Sequence, residues 1–207
     1  RQLARLDRLG LVNDRLMAVH MTDLTDAEIA LCAERGVSVV HCPESNLKLA
    51  SGFCPVAKLE KAGINLGIAT DGCASNNDLD MFGEMRTAAL LAKGVSGDPS
   101  ALGAASALRA ATLGSARAMG LGDSIGSIEP GKLADLACVD LSPLETQPLH
   151  NVVSQLVYAT GRQQVSDVWI AGRARLAGGK LVDMDTDAIR AKARRWRERI
   201  AGLRGGA

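Results

Sequence analysis

Three short apolar runs constrain this chain most, because each delivers a chemically capable side chain where the run ends. They are Leu16-Met-Ala-Val-His20, Val37-Ser-Val-Val-His41 and Ile64 to Ala69, the last leading into Thr70-Asp71-Gly72. Short apolar runs between turn signals read as buried strands. Helical patterns lie between them. Thr25-Asp-Ala-Glu28 is a capping box, in which the threonine hydroxyl accepts from the third helical N–H and the glutamate reaches back. It opens a helix over 27–35 that stops at Gly36, as a glycine past a helix end should. A loop is expected from Cys42 to Pro55, a helix over 56–62 ending at Gly63, and helices over about 78–94 and 100–119. The beat of strand, loop, helix builds a parallel sheet with helices outside it. Loops after the strands are long and rich in Ser, Asn and Gly, while the turns before them are short. Chemistry in parallel α/β folds sits at the carboxyl ends of the strands. Three such ends carrying His20, His41 and Asp71 therefore point to a site.

Composition supports this class. Only five of 207 residues are aromatic, so the core must be aliphatic, which suits helices on a parallel sheet. The formal charge of +1 gives no electrostatic case for nucleic acid or an anionic membrane. No apolar run reaches membrane-spanning length and no signal peptide opens the chain. Arg1 is not an initiating residue, so an N-terminus created by truncation or processing is expected. The five cysteines form no CxxC pair, which argues for free thiols in a reducing, cytoplasmic setting rather than a disulfide scaffold. Cys42 and Cys73 flank the candidate site, which leaves a cysteine nucleophile open.

After Gly120 the pattern changes. Ile125-Gly-Ser-Ile-Glu-Pro-Gly-Lys132 is turn-rich, and short strands are expected at 136–140, 155–158, 165–170, 173–177 and 180–182, a small antiparallel region. From Thr186 to Leu203 a basic helix places Ile189, Ala193, Trp196 and Ile200 on one face, which is expected to dock on the protein itself.

An aspartate and a histidine facing one cavity can hold a divalent metal, and metal-activated water is a nucleophile near neutral pH. A catalytic zinc wants three protein ligands, and no HxH pair occurs here, so the residues alone outline an incomplete site.

The runs Ala18-Val-His20, Val40-His-Cys-Pro-Glu-Ser-Asn-Leu-Lys-Leu49, Thr70-Asp-Gly-Cys-Ala-Ser-Asn-Asn77, Glu84-Met-Arg-Thr-Ala-Ala-Leu-Leu91 and Ile125 to Leu136 resemble the amidohydrolase superfamily. Within it, the likeness is to the C-terminal half of the methylthioadenosine/S-adenosylhomocysteine deaminases, in the group that also holds triazine hydrolases. The resemblance implies an α/β fold: the C-terminal part of a (β/α)8 TIM-like barrel over residues 1–120, part of a small β-sandwich over 121–183, and an amphipathic helix over 184–207. It implies a zinc-dependent hydrolytic deaminase of an aminopurine nucleoside, with one Zn2+. Alternatives are a chlorohydrolase or another aminohydrolase of the superfamily, or a non-catalytic fragment that needs a partner chain. By position, Asp71 matches the metal ligand ending the eighth strand, and His20 the residue that polarises the attacking water. His41 falls to a supporting role. Asp71 and Ser75 would contact substrate, with Asn76 beside them. The family's remaining metal ligands would lie before Arg1. The implied partner is a small-molecule nucleoside, not nucleic acid or membrane, and a homo-oligomer is compatible with it. Expressed alone, the chain is expected to aggregate and to hold no stoichiometric zinc.

Overall fold

The computed structural model describes residues 1–204. Its first half is built on three parallel strands in sequence order: β1 (Met17–Val19), β2 (Ser38–His41) and β3 (Asn65–Ile68). Val19 pairs with Val40, and His41 pairs with Ile68. β2 is buried along its whole length, as a central parallel strand covered on both faces should be. Around the sheet lie α1 (Gln2–Arg8), α2 (Asp26–Glu34), α3 (Pro43–Lys48), α4 (Val56–Lys61) and α5 (Met81–Ser96). The capping box forms: Thr25 Oγ1 accepts from the Glu28 N–H at 3.2 Å, and Glu28 Oε2 accepts from the Thr25 N–H at 2.9 Å. Ile29, Cys32, Val39, Leu59, Met85 and Ala89 belong to one aliphatic core between helices and sheet.

Four expectations change. The stretch 42–55 is not all loop, because Pro43 starts α3 at a position where its missing N–H costs nothing. The helix expected over 100–119 is divided into α6 (Ala104–Arg109), a π-helical turn (Ala110–Gly114) and α7 (Ser115–Ala118). The division follows from contact with β3. A Cβ on Gly114 would lie 2.0 Å from the Leu66 carbonyl oxygen, and Ser115 Oγ bonds both the N–H and the carbonyl of Ile68 at 3.1 Å. The outer edge of β3 is therefore partly covered.

The strand expected at 155–158 is instead α8 (Val152–Tyr158), capped by Asn151 Oδ1 accepting from the Ser154 N–H at 2.8 Å. Its β-branched and aromatic residues invite a strand reading, but packing against α5 and α6 overrides that propensity and buries Val157. The remaining strands form an antiparallel sheet in the order β4 (Leu136–Val139), β5 (Val165–Ile170), β6 (Arg173–Ala177) and β7 (Lys180–Leu181).

The last helix, α9 (Thr186–Arg204), forms as expected but does not dock: Ile189, Trp196 and Ile200 stay about half exposed. Its Ala, Arg and Lys residues are strong helix formers, so 19 residues hold a helix without tertiary support. No helix among the described residues is long and apolar enough to cross a membrane.

Candidate active site

His20 and Asp71 come together beyond the ends of β1 and β3, with Nε2 of the imidazole 3.8 Å from Oδ2 of the carboxylate. Both residues adopt left-handed backbone conformations, with φ of 70° and 64°. Non-glycine residues in that region are strained and cluster at functional sites. Each residue lies just past the end of its strand, and the two side chains meet there. The side chains are 40% and 33% exposed, so the pair is open to solvent on one side.

α3 supplies the support. Ser45 Oγ donates to Asp71 Oδ2 at 2.7 Å, and Ser75 Oγ donates to the same oxygen at 2.6 Å. These hydroxyls, with the Gly72 N–H, hold the Asp71 carboxyl down at about 2, so it is ionised at any working pH. Asn46, next along α3, places Oδ1 2.8 Å from His20 Nδ1. With an amide oxygen as its partner, Nδ1 donates in this contact, and Nε2 is left on the side of Asp71.

His41 is not part of this contact. Its ring is buried, and among the described residues neither nitrogen has a hydrogen-bond partner. Burial, with the nearby His20 second, pushes it down to about 4, so the ring is neutral. His41 and Glu44 stand three residues apart, a spacing that can serve metals, but the Glu44 carboxylate turns to the Thr87 hydroxyl at 2.9 Å instead. Cys42 is buried and its thiol is pushed up to about 12, chiefly by burial, which removes it as a nucleophile. Cys73 is exposed in the loop after Asp71.

Asn76 is also buried and turned inward. Its amide donates to Glu84 Oε1, and its oxygen accepts from the Asp78 N–H at 3.2 Å. Ser45, Asn46, Glu44 and Glu84 are the site residues that sequence reasoning passed over. Each lies inside a run that carries the family likeness, but nothing in the sequence says that their side chains meet.

The amidohydrolase family's sequence profile matches residues 2–175. The chain belongs to the amidohydrolase family. The 5-methylthioadenosine/S-adenosylhomocysteine deaminase of Teredinibacter turnerae is 48% identical over 204 residues, 99% of this chain and 46% of the relative. The enzyme of the same name from Moorella thermoacetica is 47% identical over 190 residues, 92% of this chain and 44% of the relative. Among solved structures, an adenosine deaminase from Xanthomonas campestris with bound zinc superposes with a TM-score of 0.96 at 73% identity, over 98% of this chain and 46% of that one. Atrazine chlorohydrolase from Arthrobacter aurescens, complexed with zinc, gives 0.84 at 30% identity, over 90% of this chain and 42% of that one. The chain thus spans just under half the length of these amidohydrolases.

The zinc of those structures can be tested against the residues present here. Zinc takes nitrogen and oxygen donors, and a ligand carboxyl must be ionised. Asp71, held at about 2 with an imidazole nitrogen opposite, meets both conditions. Among the described residues no group of three His, Cys, Asp or Glu side chains is placed to hold a metal ion. The pair therefore fits as one part of a zinc site.

Proposed function

We propose that this chain is the C-terminal portion of a zinc-dependent hydrolytic deaminase, acting on an aminopurine nucleoside of the methylthioadenosine/S-adenosylhomocysteine type. The observation that carries the proposal is the 48% identity to a deaminase of that name across 99% of this chain, with His20 and Asp71 meeting at the strand ends. The chlorohydrolase alternative is disfavoured by its lower identity of 30%. In this reading, residues 1–120 contribute the last βα units of a (β/α)8 barrel, residues 121–183 part of a β-sandwich, and 184–207 a terminal helix. The parallel order β1-β2-β3 and the antiparallel second sheet support that division. The other ligands of a single zinc come from protein outside this chain, in a reducing cytoplasm that suits five free thiols.

Asp71 would hold the zinc, which would supply Lewis acidity for attack by water near neutral pH. Residues of this chain act beside it. His20 Nε2 takes the proton of the attacking water and passes it on, while Asn46 keeps the ring in the required tautomer. Ser45 and Ser75 keep Asp71 ionised and fixed in direction. The Ser75 hydroxyl proton is committed to Asp71, so toward the substrate Ser75 acts as an acceptor only. The amino-bearing ring carbon gains the water oxygen and loses ammonia.

The test is an assay of the full-length enzyme. Methylthioadenosine, S-adenosylhomocysteine, adenosine and a chlorotriazine are offered in turn, with ammonia and chloride release followed. Ammonia from the nucleosides, lost on zinc chelation and restored by zinc, is expected. Chloride release from the triazine without nucleoside deamination would overturn the reading.

A further inference from the structure

α3 and the loop 72–80 carry the groups that bond the His20 ring and the Asp71 carboxylate, so what fixes those two segments helps fix the site. Glu84, in the first turn of α5, is fully buried, with 0% of its surface exposed. Its Oε2 accepts from the backbone N–H of Glu44 at 3.3 Å, and its Oε1 accepts from the side-chain amide of Asn76. Each partner sits directly beside a serine. Glu44 precedes Ser45, and Asn76 follows Ser75; these are the two hydroxyls on Asp71 Oδ2. Asn46, which holds His20, comes next on α3.

We propose that Glu84 is a positioning residue of this site: its two carboxylate oxygens join α3 to the 72–80 loop from the buried side, as the exposed Lys48 does from outside through Ala74 O and Asn77 Oδ1, and so help aim both serines at Asp71 and Asn46 at His20. The inference rests on the deaminase reading, under which Asp71 and His20 act on substrate. Glu84 touches neither of them and acts through its neighbours.

The surroundings are arranged for this. Asn76 is 3% exposed, and its oxygen accepts from the N–H groups of Asp78 and Leu79 at 3.2 and 3.4 Å, which closes the loop on itself. The Glu44 carboxylate lies along α5, bonded to the Thr87 hydroxyl at 2.9 Å. Gly83 leaves it room: a Cβ there would come within 3.3 Å of Glu44 Oε1. Burial pushes the Glu84 carboxyl up to about 7, and the bonds from the Glu44 N–H and the Asn76 amide oppose that shift and favour the ionised, two-acceptor form. Here two donors from two separate segments demand two acceptor oxygens. A glutamine offers one acceptor and one donor, so it satisfies one segment and opposes the other. An apolar residue leaves the Glu44 N–H buried without a partner and the Asn76 amide with the Glu44 carboxylate alone, at 3.4 Å.

The experiment is Glu84→Gln in the full-length, zinc-loaded enzyme, chosen because it preserves shape and folding. We measure kcat per zinc-loaded site, KM, and amide hydrogen exchange across 43–48, 72–80 and β2. Small displacements of reacting groups cost up to ~10²-fold in rate, so kcat is expected to fall between ~10-fold and ~10²-fold with KM little changed. Exchange should quicken in 43–48, 72–80 or both, while β2 keeps its protection. A lowered melting temperature with unchanged kcat per loaded site would reduce Glu84 to a core carboxyl and overturn the inference. So would unchanged exchange in both segments. If the unsubstituted enzyme fails to deaminate any nucleoside, it is the proposed function that falls, and the exchange data still decide whether Glu84 holds the two segments together.

Discussion

His20 and Asp71 show how much of a site can rest on single backbone angles. A left-handed φ at a non-glycine residue costs of order 1–3 kcal/mol, and the fold sustains it at both positions of the pair. The same two residues divide the labour. Asp71 is lowered from 3.8 to about 2, by Ser75 first and Ser45 second. Its folded-state pKa is depressed, so the stability linked to its ionisation is fully present above about pH 3.8 and is lost as pH falls through about 2. An acid limb in a pH–rate profile at higher pH must then come from another group. For substitutions in the full-length enzyme, Asp71→Asn should abolish turnover and lower zinc content, because the amide lacks the charge that a divalent cation needs. His20→Ala should keep its zinc and lose roughly 10²–10⁴-fold in kcat. Metal analysis alongside rate measurement separates the two roles. Zinc lost from the His20 variant would make that histidine a direct ligand.

Between residues and fold, the helical segment 104–118 shows how one contact reshapes an element. Ala104 to Ala118 is a plain helix by composition, yet it carries a π-helical turn where it meets β3. The turn lets the backbone at Gly114 approach the Leu66 carbonyl more closely than any side chain permits. It also brings Ser115 Oγ onto both polar groups of Ile68, which lie on the strand edge away from β2. A buried strand edge must find such partners. Gly114→Ala should therefore push the turn off β3 and expose the strand that leads to Asp71. We expect a loss of about 1–3 kcal/mol or more, since an overpacked contact of this kind also strands hydrogen-bonding groups. Urea denaturation reads the change. A variant as stable as its parent would mean that the π turn is not built around this contact.

At the level of the molecule, the surfaces of this chain are not those of a self-sufficient domain. Among the described residues β1 pairs on one side only, and Met17 and Val19 are exposed on it. Leu47, Leu49 and Phe53 are exposed beside the site, and the apolar face of α9 is uncovered, with Trp196 stacked only under Arg199 at 5.0 Å. Unpaired edges and clustered apolar patches are aggregation hazards. Residues 1–207 expressed alone should form soluble aggregates or precipitate, and should hold far less than one zinc per chain, because two candidate donors seldom retain the ion. Size-exclusion chromatography with zinc analysis settles it. A monodisperse monomer that melts cooperatively with bound zinc would show that the exposed surfaces need no cover.

The strands at 17–19, 38–41 and 65–68, the capping box at Thr25 and the placing of His20 and Asp71 at strand ends were all legible from order along the chain. They depend on local period, local capping and the fixed direction of a parallel strand, which neighbouring residues specify. The motifs around Val40, Thr70 and Glu84 pointed to the family for the same reason, since each is a contiguous run. Five features were not legible: α3 inside an apparent loop, the π-helical turn that divides the helix at 110–114, α8 in place of a strand, the inward turn of His41 and Asn76, and the exposed face of α9. Each depends on what lies across from it. Ser45, Asn46, Glu84 and Asp71 are separated by up to 39 residues, and their meeting follows from the packing of α3 against α5 and the 72–80 loop. Periodicity reports which face a residue turns to the interior. It does not report which buried donor finds which buried acceptor there, and in this protein that pairing sets the geometry of the site.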